Sequence, residues 1–502
     1  MNRVARILGF KDPSAKLGRL VWVNLVIGPS IVFTIMMSST FYMIFVADTL
    51  GGGPGRYLDG IALVGALVVI QLAIQTLLDY PTGTIGDMIG HRYVIASAYL
   101  MYGVAFYLTS ILTPATPFMV YILIYVLNGL GASQESGAWD AWFDNNYRVA
   151  APDDVERTEY GVYAGRMGTI GTIMVMSALI PGGIFAVIFS RMWVFQVEAM
   201  MCVVTAFVVL RLVTDFPEVI EQREKRPSIG EYMSLLKSSA SFVFSDPFVK
   251  YLLIGGMVVW SGLMVWSNLV VFPILYAYLV TDVAVAAYRT FLRVPSLFTI
   301  ERAGVWSQRF DSKKWIPRFR LIQSAGFTLF IIFAGITLVF PPVIGSETLV
   351  DIILPFTDFV VMQVPPESLF PITLMFATFV CAGFFYWAAE ILTMRIMMDV
   401  VPTKIRNSVY SLSPTMATVF AIPQIAIFGA AIQFIGFPTT LVIIAFVSLA
   451  GVLMIRKGFT YPIPYTGERR KAMEQSLSET EITPSELAAL EEGGKNPLDG
   501  QV

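Results

Sequence analysis

The sequence predicts an all-α membrane protein with twelve transmembrane helices in two pseudo-symmetric six-helix bundles, and three observations carry that reading. Of 502 residues, 56% are hydrophobic and only 14% charged, whereas a soluble domain carries roughly a quarter charged residues. The apolar residues come in blocks of about twenty, enough to cross a hydrocarbon core of about 30 Å as a helix. The longest charged linker, at 214–247, divides those blocks into two sets of six. Backbone groups in lipid have no water to bond, so a helix must satisfy them within the segment. A barrel would show alternating segments of about ten residues, and the sequence has none.

Taken in order, the spans fall near 20–46, 58–80, 93–113, 117–143, 161–189 and 192–213 in the first half. The second half has 248–276, 282–305, 318–340, 370–396, 405–434 and 436–456. The run after Arg19 is too long for a cleaved signal and reads as the first span. The domains are therefore a first bundle (1–213), a cytoplasmic linker (214–247), a second bundle (248–456) and a cytoplasmic tail (457–502). Orientation follows from the Lys/Arg bias. With the N-terminus inside, the inner side holds Arg3, Arg6, Lys11, Lys16, Arg19, Arg92, the linker bases, Arg309, Lys313, Lys314, Arg318 and Arg320. Lys404, Arg406, Arg456 and Lys457 join them, while the outer loops show only Arg56 and Arg191. The loop 341–369 carries Glu347, Asp351, Asp358 and Glu367 and no base, and reads as an interfacial helix or partial lid. In the tail, Thr483-Pro484-Ser485-Glu486 has the capping pattern of a short helix before Leu487.

Several function classes are excluded. The one histidine, His91, rules out a multi-histidine metal site. Cys202 and Cys381 fall inside apolar blocks and read as buried small hydrophobes rather than a disulfide framework. A net charge of −2 with scattered bases gives no nucleic-acid surface. Gly51-Gly52-Gly53-Pro54-Gly55 lacks the Lys-Ser/Thr of a phosphate loop. Neither an enzyme nor a cofactor is expected.

Between the second and third spans stands Gly83-Thr84-Ile85-Gly86-Asp87-Met88-Ile89-Gly90-His91-Arg92. This resembles the signature of the major facilitator superfamily: Gly, three residues, Asp, two residues, Gly, then bases, at the first inner loop. Glycines let helices approach and the chain turn tightly, and an Asp can face the positive end of a neighbouring helix. The resemblance implies a conformational latch of Gly83, Asp87, Gly90 and Arg92, with Asp87 facing helix 11 and Arg92 an acid at the inner end of helix 4, Asp144 or Asp140. It also implies two bundles around a central cavity, working by alternating access.

The second copy, Gly304-Val305-Trp306-Ser307-Gln308-Arg309-Phe310-Asp311-Ser312-Lys313-Lys314, is degenerate: Gln308 replaces the acid. Glu135 precedes Asp144, and Glu390 precedes Asp399, by the same interval at the ends of spans 4 and 10, which supports a duplicated half. Exporter patterns of the family are incomplete. Tyr125 stands where a helix-4 Arg would, and Pro181-Gly182-Gly183 matches only part of the helix-5 motif.

Charges inside the spans point to the site. Glu135, Arg166, Arg289, Arg293 and Glu390 lie too deep to be loop residues. Unpaired, five such groups would cost on the order of 10 kcal/mol or more, so they must pair or line a wet cavity. Arg289 and Arg293 lie one turn apart on one face, which Glu301 continues. By resemblance, helices 1, 4, 7 and 10 line the cavity and Glu135 faces Glu390 across it. One reading gives Arg289 and Arg293 to an anionic group on a solute, pairs Arg166 with Glu135, and lets Glu135 or Glu390 take up a coupling proton. The other makes Glu135, Arg166 and Glu390 structural ion pairs. Asn24, Ser38, Ser39, Thr40, Trp260, Trp266, Asn268, Tyr386 and Trp387 are candidate lining residues or packing. Gly161, Gly165, Gly168 and Gly171 read as a close helix-packing face.

The expected function is secondary active transport of a small polar or anionic organic solute, proton-coupled, by a monomer in the plasma membrane with both termini cytoplasmic. The alternatives are efflux of lipophilic compounds, or a transport-inactive sensor or assembly protein on the same scaffold.

Overall fold

The computed structural model describes residues 2–154, 158–223, 237–238, 241–307, 309–343, 348–353, 360–401 and 406–465. Most of the charged linker, Gln308, Glu347, Asp358, Lys404 and the tail with its expected helix lie outside the described residues.

The first half runs through α1 (Asn2–Ile7), α2 (Ala15–Met36), α3 (Tyr42–Leu50), α4 (Tyr57–Ile89), α5 (His91–Ser110), α6 (Phe118–Glu135), α7 (Ala138–Ala150), α8 (Thr158–Ile188), α9 (Arg191–Leu212) and α10 (Pro217–Arg223). The second half has α11 (Pro247–Val265), a π turn (Trp266–Val270), α12 (Val271–Leu279), α13 (Asp282–Ser307), α14 (Ser312–Ile322) and α15 (Phe327–Val339). A two-stranded hairpin follows, then α16 (Leu369–Val400) and α17 (Arg406–Gly458).

Local chemistry explains the interruptions. The first expected span is two helices, because Ser38-Ser39-Thr40 favours side-chain bonds to the backbone over helix. Ser39 Oγ donates to the Met36 carbonyl at 2.8 Å, and the helix stops there. The fourth breaks at Gly137, whose φ of 70° suits only a residue without Cβ. The ninth begins earlier than expected, at Ser312, and is interrupted by Gln323–Gly326. The last two expected spans form α17, bent at Gly436 with φ 73° ahead of Pro438.

Among the described residues, nine helical stretches are long and apolar enough to cross a membrane. Two expected spans fall outside that set for visible reasons: α6 ends in Ser133-Gln134-Glu135, and α13 carries Arg289 and Arg293. Large apolar side chains face outward, including Phe434 at 82% and Phe207 at 63% exposure. In water such a surface would aggregate, whereas in lipid it is solvated. The protein is a multi-pass membrane protein.

Packing follows the two halves. α5 packs on α6 and α9, and α4 on α6, while α11 and α15 pack on α17 and α14 on α16. The most extensive contacts between the halves are α4 with α17 and α8 with α13. The first is a backbone-to-backbone approach, since a Cβ on Gly65 would sit 2.9 Å from Gly429 Cα.

Of the interfacial helix or partial lid expected in 341–369, the helix is corrected: the described residues form strands. β1 (Val350–Ile353) pairs antiparallel with β2 (Val360–Val364), with Asp351 opposite Gln363. The β-branched residues at alternate positions favour the pleat. Met362 and Val364 are buried against α12 and α13, while the Gln363 amide donates to Asp351 at 2.8 Å.

Candidate functional site

One end of the bundle is closed by an ion cluster across both halves. Arg191, first residue of α9, donates through Nε and Nη2 to Asp282 at 2.8 Å each, and through Nη1 to Asp48 at 3.1 Å. The Tyr276 hydroxyl also donates to Asp282. The Arg191 guanidinium lies over the Phe41 and Tyr276 rings at 5.9 and 5.6 Å. The Asp48 and Asp282 side chains are each 8% exposed. Asp282 opens α13, where the helix dipole favours a carboxylate. A two-bond guanidinium–carboxylate fork has fixed geometry, so it specifies how the halves meet. Sequence reasoning missed this cluster. Its signal was available: the predicted spans put Asp48, Arg191 and Asp282 at boundaries on one and the same side.

Below the cluster, the α2–α3 break is held from two sides. Glu198, on α9 and fully buried, accepts the Ser38 N–H at 2.8 Å. Arg289, on α13, donates to the Ser39 carbonyl at 3.3 Å and hydroxyl at 3.4 Å, with its guanidinium 4.8 Å over Phe272. Arg293, one turn further on the same helix, is exposed; its carbonyl accepts from Ser296 Oγ at 2.6 Å, and its guanidinium makes no hydrogen bond or ion pair among the described residues. The Glu301 side chain, expected to continue that face, lies outside them. Glu198 was also missed, although a carboxyl seven residues into an apolar block is a signal by itself.

Toward the opposite end the molecule opens. A cavity of about 410 Å³ is lined by Asn24, Tyr99, Glu135, Trp139, Asp140 and Tyr163 among others. Tyr99 and Tyr102 donate to Glu135 at 2.7 and 2.9 Å. Trp139 Nε1 donates to Asn24 at 3.1 Å, and the Asn24 amide donates to the Tyr163 hydroxyl at 2.5 Å. The expected Arg166–Glu135 pair is not formed: Arg166 is exposed and donates to the Ile7 carbonyl. Gly161, Gly165, Gly168 and Gly171 are likewise not a packing face, since a Cβ at any of them would meet nothing within 4 Å. That side of α8 is turned toward open space, and its close contacts come further along. A Cβ on Gly182 would lie 2.0 Å from the Met37 carbonyl oxygen, and one on Gly183 2.8 Å from Ala286 Cβ.

Glu390 sits in a different environment. Arg320 donates to it at 2.9 Å and Trp260 Nε1 at 3.2 Å, while Arg320 also donates to Gln323 and Thr393. Arg320, counted from sequence only among the inner-side bases, is buried; its side chain is 4% exposed and packed between α14 and α16. The spacing that carries Gly83 onto Gly304 also carries Tyr99 onto Arg320. The two halves thus hold matching glutamates, one with phenols and one with a guanidinium.

Other candidate lining residues divide. Trp266 is buried among Phe330, Phe333 and Phe379, and Tyr386 packs on Trp387. Asn268 donates to the Met264 carbonyl at 2.9 Å in the π turn, and Ser38 and Thr40 are buried. Cys202 is buried as expected, whereas Cys381 is exposed. Of the latch, Gly90 has φ 106°, a conformation that lets α4 turn directly into α5. Arg92 lies over the Tyr93 ring at 4.5 Å, and Asp144 pairs with Arg148 at 2.9 Å on its own helix. Gly83 faces open space, and the Asp87 side chain lies outside the described residues.

No family model and no curated protein matches this sequence. Solved structures do match. The nucleoside transporter NupG is similar with a TM-score of 0.59 at 14% identity, over 86% of this chain and 100% of that one. The xylose transporter XylE from E. coli, in its inward-open conformation, is similar with a TM-score of 0.54 at 11% identity, over 88% and 97% of the two chains. This chain therefore shares the fold of these two transporters.

Proposed function

We propose that the chain is a secondary active transporter that moves a small polar organic solute across the plasma membrane by alternating access, with protons as the coupling ion. The observation that carries this is the asymmetry of the molecule. The Arg191–Asp48–Asp282 cluster closes one end, while the cavity beside Glu135 opens at the other. A one-sided hollow lined by polar groups in an apolar shell is what alternating access requires.

In this reading the twelve spans form bundles at 1–213 and 248–456, and the excess of bases makes the Arg92 end and both termini cytoplasmic. The state described is then inward-open. Asp87, Arg92 and Asp144, with Gly83 and Gly90, form the inner latch. Arg293, exposed and unpaired among the described residues, supplies positive charge for an anionic or strongly polar group of the solute. Arg289 is the second such cation, committed here to Ser39. Trp139, Tyr163 and Asn24 present rings and an amide to the cavity, which suits a small organic solute.

The test is uptake into proteoliposomes, with substrate first found by ligand-stabilisation screening of organic anions, nucleosides, sugars and amino acids. Arg293→Ala is expected to lower uptake at least about tenfold, which is the loss of one charge-assisted contact. Glu135→Gln is expected to change the pH dependence of uptake. Unchanged uptake and unchanged pH dependence in both variants would overturn the reading.

A further inference from the structure

Glu198 has no part in the reading above, yet it is the one carboxyl of α9 and touches the segment that joins the halves. Its Oε1 accepts the Ser38 N–H at 2.8 Å, and its Oε2 is inaccessible and meets no partner. A carboxylate so enclosed, with no cation bonded to it, is costly, and a carboxylic acid in the same place is far cheaper.

The surroundings shut it off from the Arg191 end. Phe195, one turn before Glu198, packs on Phe41, Tyr42 and Phe45 at ring distances of 5.6, 5.9 and 5.1 Å. Arg191 lies one further turn along, in the closing cluster. Opening that cluster would draw the α2–α3 break from α9 and admit water to the carboxyl.

The ionisable groups around Glu198 come from every packed element. Tyr42 of α3 is bonded by Asn128 and stands beside Tyr125 of α6. On α5, Tyr99 and Tyr102 are committed to Glu135. Cys202 is one turn along α9 itself. The bases of α2, Lys16 and Arg19, bond Glu218 and Thr214 near the start of that helix, and Arg166 of α8 bonds Ile7. The cation nearest along the chain of contacts is Arg289, on the far side of Ser39. Each of the other cations named already has its own partner.

We propose that Glu198 is a proton-binding site coupled to the α2–α3 break: it carries a proton while the Arg191 end is closed and releases it to water on that side when the end opens. The O–H bond breaks on opening, the proton passes to solvent, and the resulting carboxylate is hydrated. On closing, the proton is taken up again from that side. This deepens the transport reading and rests on it, since it assumes that the Arg191 end opens.

The experiment uses the full chain in lipid nanodiscs with Cys381→Ser, spin-labelled at Ala115→Cys and Val343→Cys in loops of the two halves. Electron–electron distances are measured at about pH 5.5 and about pH 8.5, without solute. The ratio of closed to open populations should fall about tenfold as pH rises. Glu198→Gln, a mimic of the neutral acid, should hold the closed ratio within about twofold across the range. Glu390→Gln should keep the parent's response, which preserves the test if Glu198→Gln does not fold. A flat response in the parent, an unaltered response in Glu198→Gln, or loss of the response in Glu390→Gln would overturn the proposal. A pH response without uptake of any solute would instead sink the transport reading and leave the proton site standing.

Discussion

Arg320 grips Glu390 at 2.9 Å, while at the matching place in the other half Tyr99 donates to Glu135 at 2.7 Å. The same carboxyl thus receives a full positive charge in one half and a neutral hydroxyl in the other. One glutamate is locked as an ion pair, and the other accepts from two neutral hydroxyls.

Removing the guanidinium should therefore be a stability event. Arg320→Ala leaves Glu390, 25% exposed, without its cation, and breaking such a pair from one side costs about 3 kcal/mol or more. A lowered melting midpoint in detergent is expected, with partial recovery in Arg320→Ala combined with Glu390→Gln. Equal midpoints in parent and single variant would show that the pair carries no stability.

The Arg191 cluster should set the conformational balance. Arg191→Ala removes three charge-assisted hydrogen bonds and leaves Asp48 and Asp282 facing each other. Even one such bond is worth about 2 kcal/mol. The closed end should lose population about tenfold or more. Ser38→Cys, buried beneath the cluster, reports this in a Cys381→Ser background. Its labelling by a membrane-impermeant thiol reagent should be slow in the parent and about tenfold faster with Arg191→Ala. Unchanged labelling would remove the cluster from the gating account.

Opposite ends of α8 should respond with opposite signs. Gly182 abuts the Met37 carbonyl, whereas Gly168 meets open space. Gly182→Ala should lower the thermal midpoint, because α2 must shift to admit the methyl group. Gly168→Ala should raise it slightly, by about 0.5–1 kcal/mol of helix propensity. A midpoint lowered by both would mean that the Gly168 face is packed after all.

Hydropathy and loop charge made the multi-pass, all-helical class legible, along with most span positions and the Gly83–Arg92 motif. These features are local: a span depends on its own twenty residues and a tight turn on its own glycine. Breaks could be anticipated only in part. Ser38-Ser39-Thr40 and Gly137 are weak helix formers, but whether a span stops there depends on what receives the freed backbone groups, and Glu198 does so for Ser38. The segment 341–369 was misjudged because its acids and prolines argue against a crossing without saying what forms instead.

The partners of the buried charges were decided by tertiary structure alone. Arg166 was assigned to Glu135 and went to Ile7; Arg320 was counted only among the inner-side bases and went to Glu390. Sequence spacing states how deep a charge lies along its helix, but not which way the helix is turned or which neighbour it meets. Those are set when many apolar side chains pack at once. The sequence by itself determined that ionised groups had to be sheltered inside the membrane; the packing of α3, α9 and α13 decided that Arg191 would find Asp48 and Asp282 and so close one end.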